Sequence, residues 1–171
     1  MKRRITILAL IVLTVVTIIS VDFAATSSAL AGGAKQISGI GYFAEPDECT
    51  DFVTGPGEFY EFALNMTGDL DGCLYVHIDT WECSPSGTYR ERGGEFFVSR
   101  DNEGADSFET TYLFTAKLGE CPDLATEIWG RCQHPIVVDS GTGDFEGVTG
   151  RFDIKDDVAA ANFPYKGHLR W

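Results

Sequence analysis

Histidine is scarce in this chain, and the pairings that would put it to work are missing. The three histidines, His77, His134 and His168, stand far apart, and no Cys-x-x-Cys occurs. Structural zinc needs close ligand pairs, so no metal is expected. No Gly-x-Ser-x-Gly is present, and no Ser/His/Asp order suggests a nucleophilic triad. Basic residues are also few: 13 Lys and Arg against 26 Asp and Glu, a formal net charge of −13. That balance excludes nucleic acid and anionic membrane surfaces as partners, because both need a basic patch. There is no internal repeat, no low-complexity linker and no long segment with a helical period.

What is present begins with an address. Lys2, Arg3 and Arg4 precede an apolar run from Ile5 to Ile19, followed by Asp22 and Ala29-Leu30-Ala31. This is the order of a secretory signal with its cleavage site. A membrane anchor would need roughly 20 apolar residues, and Asp22 interrupts any extension of the run. The expectation is a signal peptide over 1–31 and one domain over 32–171. The mature protein is then extracellular or periplasmic, with no membrane contact after cleavage. Removing three basic residues and one acidic residue leaves 10 and 25, a net charge of −15. The first cysteine, Cys49, lies well beyond the cleavage site, which argues against a lipid-modified N-terminus.

All five cysteines fall in the mature part. An oxidising compartment makes disulfides the default. Two local bridges are expected, Cys73–Cys83 and Cys121–Cys132, leaving Cys49 for a free thiol or an intermolecular bridge.

Short runs with period-2 alternation, separated by turn residues, fill the mature chain. Strands are expected at Gln36–Phe43, Glu58–Met66, Cys73–Cys83, Thr88–Ser99, Phe108–Leu118, Ala125–Cys132, Ile136–Asp139, Arg151–Asp157 and Phe163–Trp171. Eight or nine strands without a helical crossover imply an all-β, antiparallel barrel or sandwich. Asp69-Leu70-Asp71-Gly72 reads as a hairpin turn rather than a calcium loop, since the further ligands are missing. Lys155-Asp156-Asp157 reads as a solvated charge run, and His168 as a surface or hydrogen-bonded histidine.

Ser140–Gly150 is the most distinctive stretch. Gly141, Gly143, Gly147 and Gly150 permit tight or left-handed backbone, and Phe145 and Val148 are placed to anchor the loop on a core. The run Val137–Gly150 resembles the G-G-[ST]-G-x-F-x-G-[AV]-x-G signature of the allene oxide cyclase barrel family. Dirigent proteins carry a looser version. The following strand and the aromatic-rich Phe163–Leu169 segment fit the same pattern, while Asp139 stands where the first glycine is usual. The resemblance implies a single eight-stranded antiparallel, calycin-like barrel with an apolar interior. It also implies a small hydrophobic ligand, cyclisation or coupling without a cofactor, and frequent homo-oligomers. No catalytic residue of that family has a matching motif here.

A reaction in such a barrel needs an apolar cavity and one or two polar groups. Two mixed faces offer them: Tyr75-x-His77-x-Asp79-x-Trp81 and Glu127-x-Trp129-x-Arg131. If they point inward, Glu91, Glu127 and Arg131 form a polar patch with Tyr75 or His77. A buried carboxylate there would have a raised pKa and act as acid or base. Tyr75, Trp81, Tyr112, Phe114 and Trp129 would then contact the ligand. The alternative is the commoner arrangement, with Leu74, Val76 and Ile78 facing the core and the polar faces in solvent. Phe108, Tyr112 and Phe114 would then be plain core. Three functions follow from these readings: a binding barrel, a cofactor-free cyclase, isomerase or coupling guide, and a surface interaction protein.

Overall fold

The computed structural model describes residues 33–45, 47–49, 60–101 and 106–171. The signal segment over 1–31 and the expected strand start at Glu58 lie outside them. Among the described residues no helix is long and apolar enough to cross a membrane.

Eight strands are formed: β1 (Lys35–Phe43), β2 (Phe62–Gly68), β3 (Gly72–Cys83), β4 (Thr88–Ser99), β5 (Ser107–Leu118), β6 (Glu127–Pro135), β7 (Thr149–Lys155) and β8 (Phe163–Arg170). Each pairs antiparallel with the next in sequence, and β8 pairs with β1, so the sheet closes into one barrel. The ninth expected strand does not exist. β6 runs through His134-Pro135, where a break was expected, and Ile136 makes only an isolated bridge to Thr110. Proline is tolerated there because it ends the strand.

Alternation places every second side chain inside. Leu74, Val76 and Ile78 of β3 face inward, opposite Phe97, Glu95 and Gly93 of β4. Two irregularities reverse this parity. The β3–β4 register shifts between Ile78 and Thr80, so Trp81 falls opposite Glu91. The β5–β6 register shifts between Lys117 and Leu118, so Glu127 lies opposite Leu118, whereas Trp129 lies opposite the outward Lys117. β-Bulges at barrel rims act in this way, re-aiming side chains.

The barrel is filled at one end. Met66, Leu70, Leu74, Phe97, Phe108, Phe152, Tyr165 and Leu169 are buried together. Phe97 stacks on Phe108 at 4.9 Å, and Phe145 meets both rings edge-on. Phe145 and Val148 bring the glycine loop over this end as its plug, and Val148 is fully buried. Gly143, Gly147 and Gly150 have positive φ, as does Asp139. Gly141 differs: its constraint is the carbonyl of Phe145, which a Cβ would strike.

The disulfides differ from the local pairs expected. Cys49 bonds Cys73 and Cys83 bonds Cys121, leaving Cys132 as a buried free thiol. The reason lies in the barrel. Cys73 points outward and meets Cys49 on the outer wall, where Cys49, Tyr75 and Val98 are buried in a second apolar cluster. The parity reversal in β3 brings Cys83 beside Tyr89, Ala116 and Cys121. Cys132 faces inward, opposite Phe114 and Ile154, out of reach of Cys121.

Candidate functional site

The end of the barrel away from the glycine loop is hollow. A cavity of about 550 Å³ lies there, walled by Phe43, Phe62, Leu64, Val76, Ile78, Phe114, Ile154 and Phe163. Leu124 and Ala125 reach it from a 3-10 turn (Leu124–Thr126) between β5 and β6. Its polar lining is Glu91, Glu95, Tyr112, Glu127, Cys132, His134 and Asp156.

These groups form three sets. Glu91 accepts from the Tyr89 hydroxyl at 2.6 Å on Oε2 and from the Tyr112 hydroxyl at 2.7 Å on Oε1. Burial and bonding to Glu91 push both phenols well above the usual tyrosine range. Glu95 Oε2 accepts from the Thr110 hydroxyl and lies 2.6 Å from His134 Nδ1. The His134 ring is stacked parallel on Phe152 at 4.5 Å and lies against Tyr112. Its Nε2 is buried and meets no protein partner. The third set is the Glu127–Asp156 pair. Burial, then the charge and hydrogen bond of Glu127, raise Asp156 from 3.8 to about 7. Two adjacent carboxyls in a partly desolvated site cannot both ionise easily, so they share a proton. Gly130 makes the pairing feasible, because a Cβ there would collide with Asp156 Oδ2 and Glu127 Oε1.

Cys132 sits among these sets. Burial, followed by the charges of Glu95, Asp156 and Glu91, drives its thiol well above the ordinary cysteine range. It is a neutral wall residue, not a thiolate nucleophile.

The proposed patch of Glu91, Glu127, Arg131 and His77 is therefore divided. Glu91 and Glu127 point into the lumen. Arg131 is on the outer wall, its guanidinium 5.6 Å over the Trp129 ring. His77 is also outside, paired with Glu61 at 3.3 Å and Asp79 at 3.5 Å. Among the expected ligand contacts, Tyr112 and Phe114 line the cavity. Trp81 lies at the rim, stacked on Tyr89. Tyr75 and Trp129 do not line the cavity: Tyr75 donates its hydroxyl to the Cys49 carbonyl on the outer wall. Asp156 is no solvated charge but part of the lining. Glu95 and His134 were not singled out from sequence. The signal was available: Gly130, Cys132, His134 and Ile136 alternate with Trp129, Arg131 and Gln133 once the strand is carried through the proline.

The acid pair predicts a pH effect. Asp156 binds its proton more tightly folded than unfolded. The stabilisation this gives is complete below pH ~4 and is lost as pH rises through about 7. Asp156→Asn keeps a donor for Glu127 and removes the charge. Urea unfolding at pH 5 and pH 8 should show the variant gaining on the wild type as pH rises. A gain of equal size at both pH values would contradict proton sharing.

No family model matches the chain, no curated protein matches it, and no solved structure matches it.

Proposed function

We propose that this protein is exported and binds a small, largely apolar molecule in the hollow half of its barrel. The cavity carries this reading: its walls are mostly phenylalanine and aliphatic side chains, and about 550 Å³ lies within the range of small-molecule sites. Export rests on the signal-like N-terminus and fits the two disulfides, which persist in oxidising compartments. Kinship with allene oxide cyclase and dirigent barrels belongs to the same proposal and rests on the glycine-loop signature. A thiol-mediated interaction role loses its reason, because Cys49 is bonded within the chain.

A second reading, cofactor-free cyclisation, isomerisation or coupling of that ligand, is favoured by one feature. His134, oriented by Glu95, and the proton-sharing Glu127–Asp156 pair line one apolar cavity. A base and a proton donor facing the same substrate are what proton-transfer chemistry requires.

Native mass spectrometry of the purified protein, with organic extraction of what co-purifies, tests the binding reading. One discrete small molecule per chain is expected. Protein that emerges empty and takes up no apolar probe would overturn it.

A further inference from the structure

The hydrogen-bond inventory of the lumen is one-sided. Tyr89 and Tyr112 spend their hydroxyl protons on Glu91. Thr110 spends its proton on Glu95, and so does His134 Nδ1 when it donates there. The neutral imidazole then turns a lone pair on Nε2 toward the cavity, and this buried atom has no protein partner. Glu127 Oε1 is likewise buried and receives no N–H or hydroxyl donor beyond the proton shared within the pair. Among the described residues, no lysine or arginine lines the cavity, whereas four carboxyl groups do. What remains unspent is therefore acceptor capacity and negative charge. A purely apolar occupant would leave both bare, and buried polar atoms without partners are destabilising.

We infer that the molecule bound in this cavity is a small amine, held as its ammonium form with an apolar body against the phenylalanine wall. This rests on the lumen-binding reading above. The N–H groups donate to the Glu127–Asp156 pair and to His134 Nε2. The acidic lining supplies the counter-charge that a buried cation requires, and Phe43, Phe62, Phe114 and Phe163 supply the apolar wall.

Three probes of nearly equal shape test the inference: 1-naphthylmethylamine, 1-naphthalenemethanol and 1-naphthoate. Calorimetric titrations run in about 0.15 M salt at pH 7.5, so that attraction to the acidic surface is screened. The amine should bind roughly 10- to 100-fold tighter than the alcohol, the range expected for charge-assisted hydrogen bonds. The carboxylate should bind weakest. In Glu127→Gln/Asp156→Asn the amine should lose most of that advantage while the alcohol is little changed. The wild type gives an independent reading if that variant does not fold. Amine affinity should fall between pH 8 and pH 5 as the pair takes up the proton it shares and loses part of its negative charge, and alcohol affinity should hold. The groups facing the pair are Glu91 and Glu95 from β4, Tyr112 from β5, and Cys132 and His134 from β6. Equal binding of amine and alcohol would overturn the amine assignment and leave the lumen reading standing. A preference for the carboxylate would do the same. Failure of all three probes would remove the lumen reading itself.

Discussion

His134→Phe is expected to destabilise the protein by about 2–3 kcal/mol, the upper part of the cost of leaving a buried acceptor, here a carboxyl group, short of one of its donors. His134 and Glu95 are both nearly inaccessible, with side chains 2% and 3% exposed. Phenylalanine matches the ring slot between Tyr112 and Phe152, so packing is kept and the electrostatic loss is isolated. Glu95 is left with Thr110 alone and must hold a bare charge or take up a proton. Glu95→Leu combined with Thr110→Val and His134→Phe should recover most of the loss, because apolar replacement of a whole buried polar set is often neutral or better. Equilibrium urea unfolding of the two variants gives both numbers. A single variant as stable as the wild type would mean that Glu95 does not depend on the histidine, and the orienting role drawn for it would fail.

The second large effect concerns the hollow end. Cys83→Ala/Cys121→Ala should cost about 3–4 kcal/mol, the loop-closure value for a cross-link spanning 38 residues. The bridge joins the end of β3 to the connection leading into β6, and packs beside Tyr89, Ala116 and Leu118. Removing it frees the 3-10 turn that carries Leu124 and Ala125 over the cavity. Binding of an apolar probe should therefore weaken along with the unfolding midpoint, while Cys49–Cys73 stays closed. A loss under about 1 kcal/mol would show that the barrel register alone holds this end, contrary to the chain-entropy expectation.

Much of the fold was legible because alternation is a local signal. Thr88–Ser99 has the bounds its pattern predicts, and Cys73–Cys83 and Phe108–Leu118 differ from β3 and β5 by one residue at the start. The site was less legible, for three physical reasons. Alternation carried past Asp79 grouped Trp81 with His77 on one face, and alternation carried past Ile128 grouped Glu127 with Trp129. Each register shift breaks that parity, and neither has a signature in composition. The disulfides depend on which strands and loops become neighbours on the closed sheet, so sequence proximity misled. The rule that antiparallel sheets face polar residues outward fits β3 and fails on β4, where Glu91 and Glu95 point inward. Their cost is met by hydroxyls and a histidine on β5 and β6 that no local pattern could have assigned to them.

The division of the barrel into a filled end and a hollow end separates two kinds of selection. Phe97, Phe108 and Phe145 lock together, and a change in any one opens a void among tightly packed neighbours. Phe62, Ile78 and Phe114 border empty space, so a larger or smaller side chain there reshapes the cavity while the packed layer stays intact. The size of the lumen is thus adjustable by substitution at these positions without disturbing the layer on which folding depends.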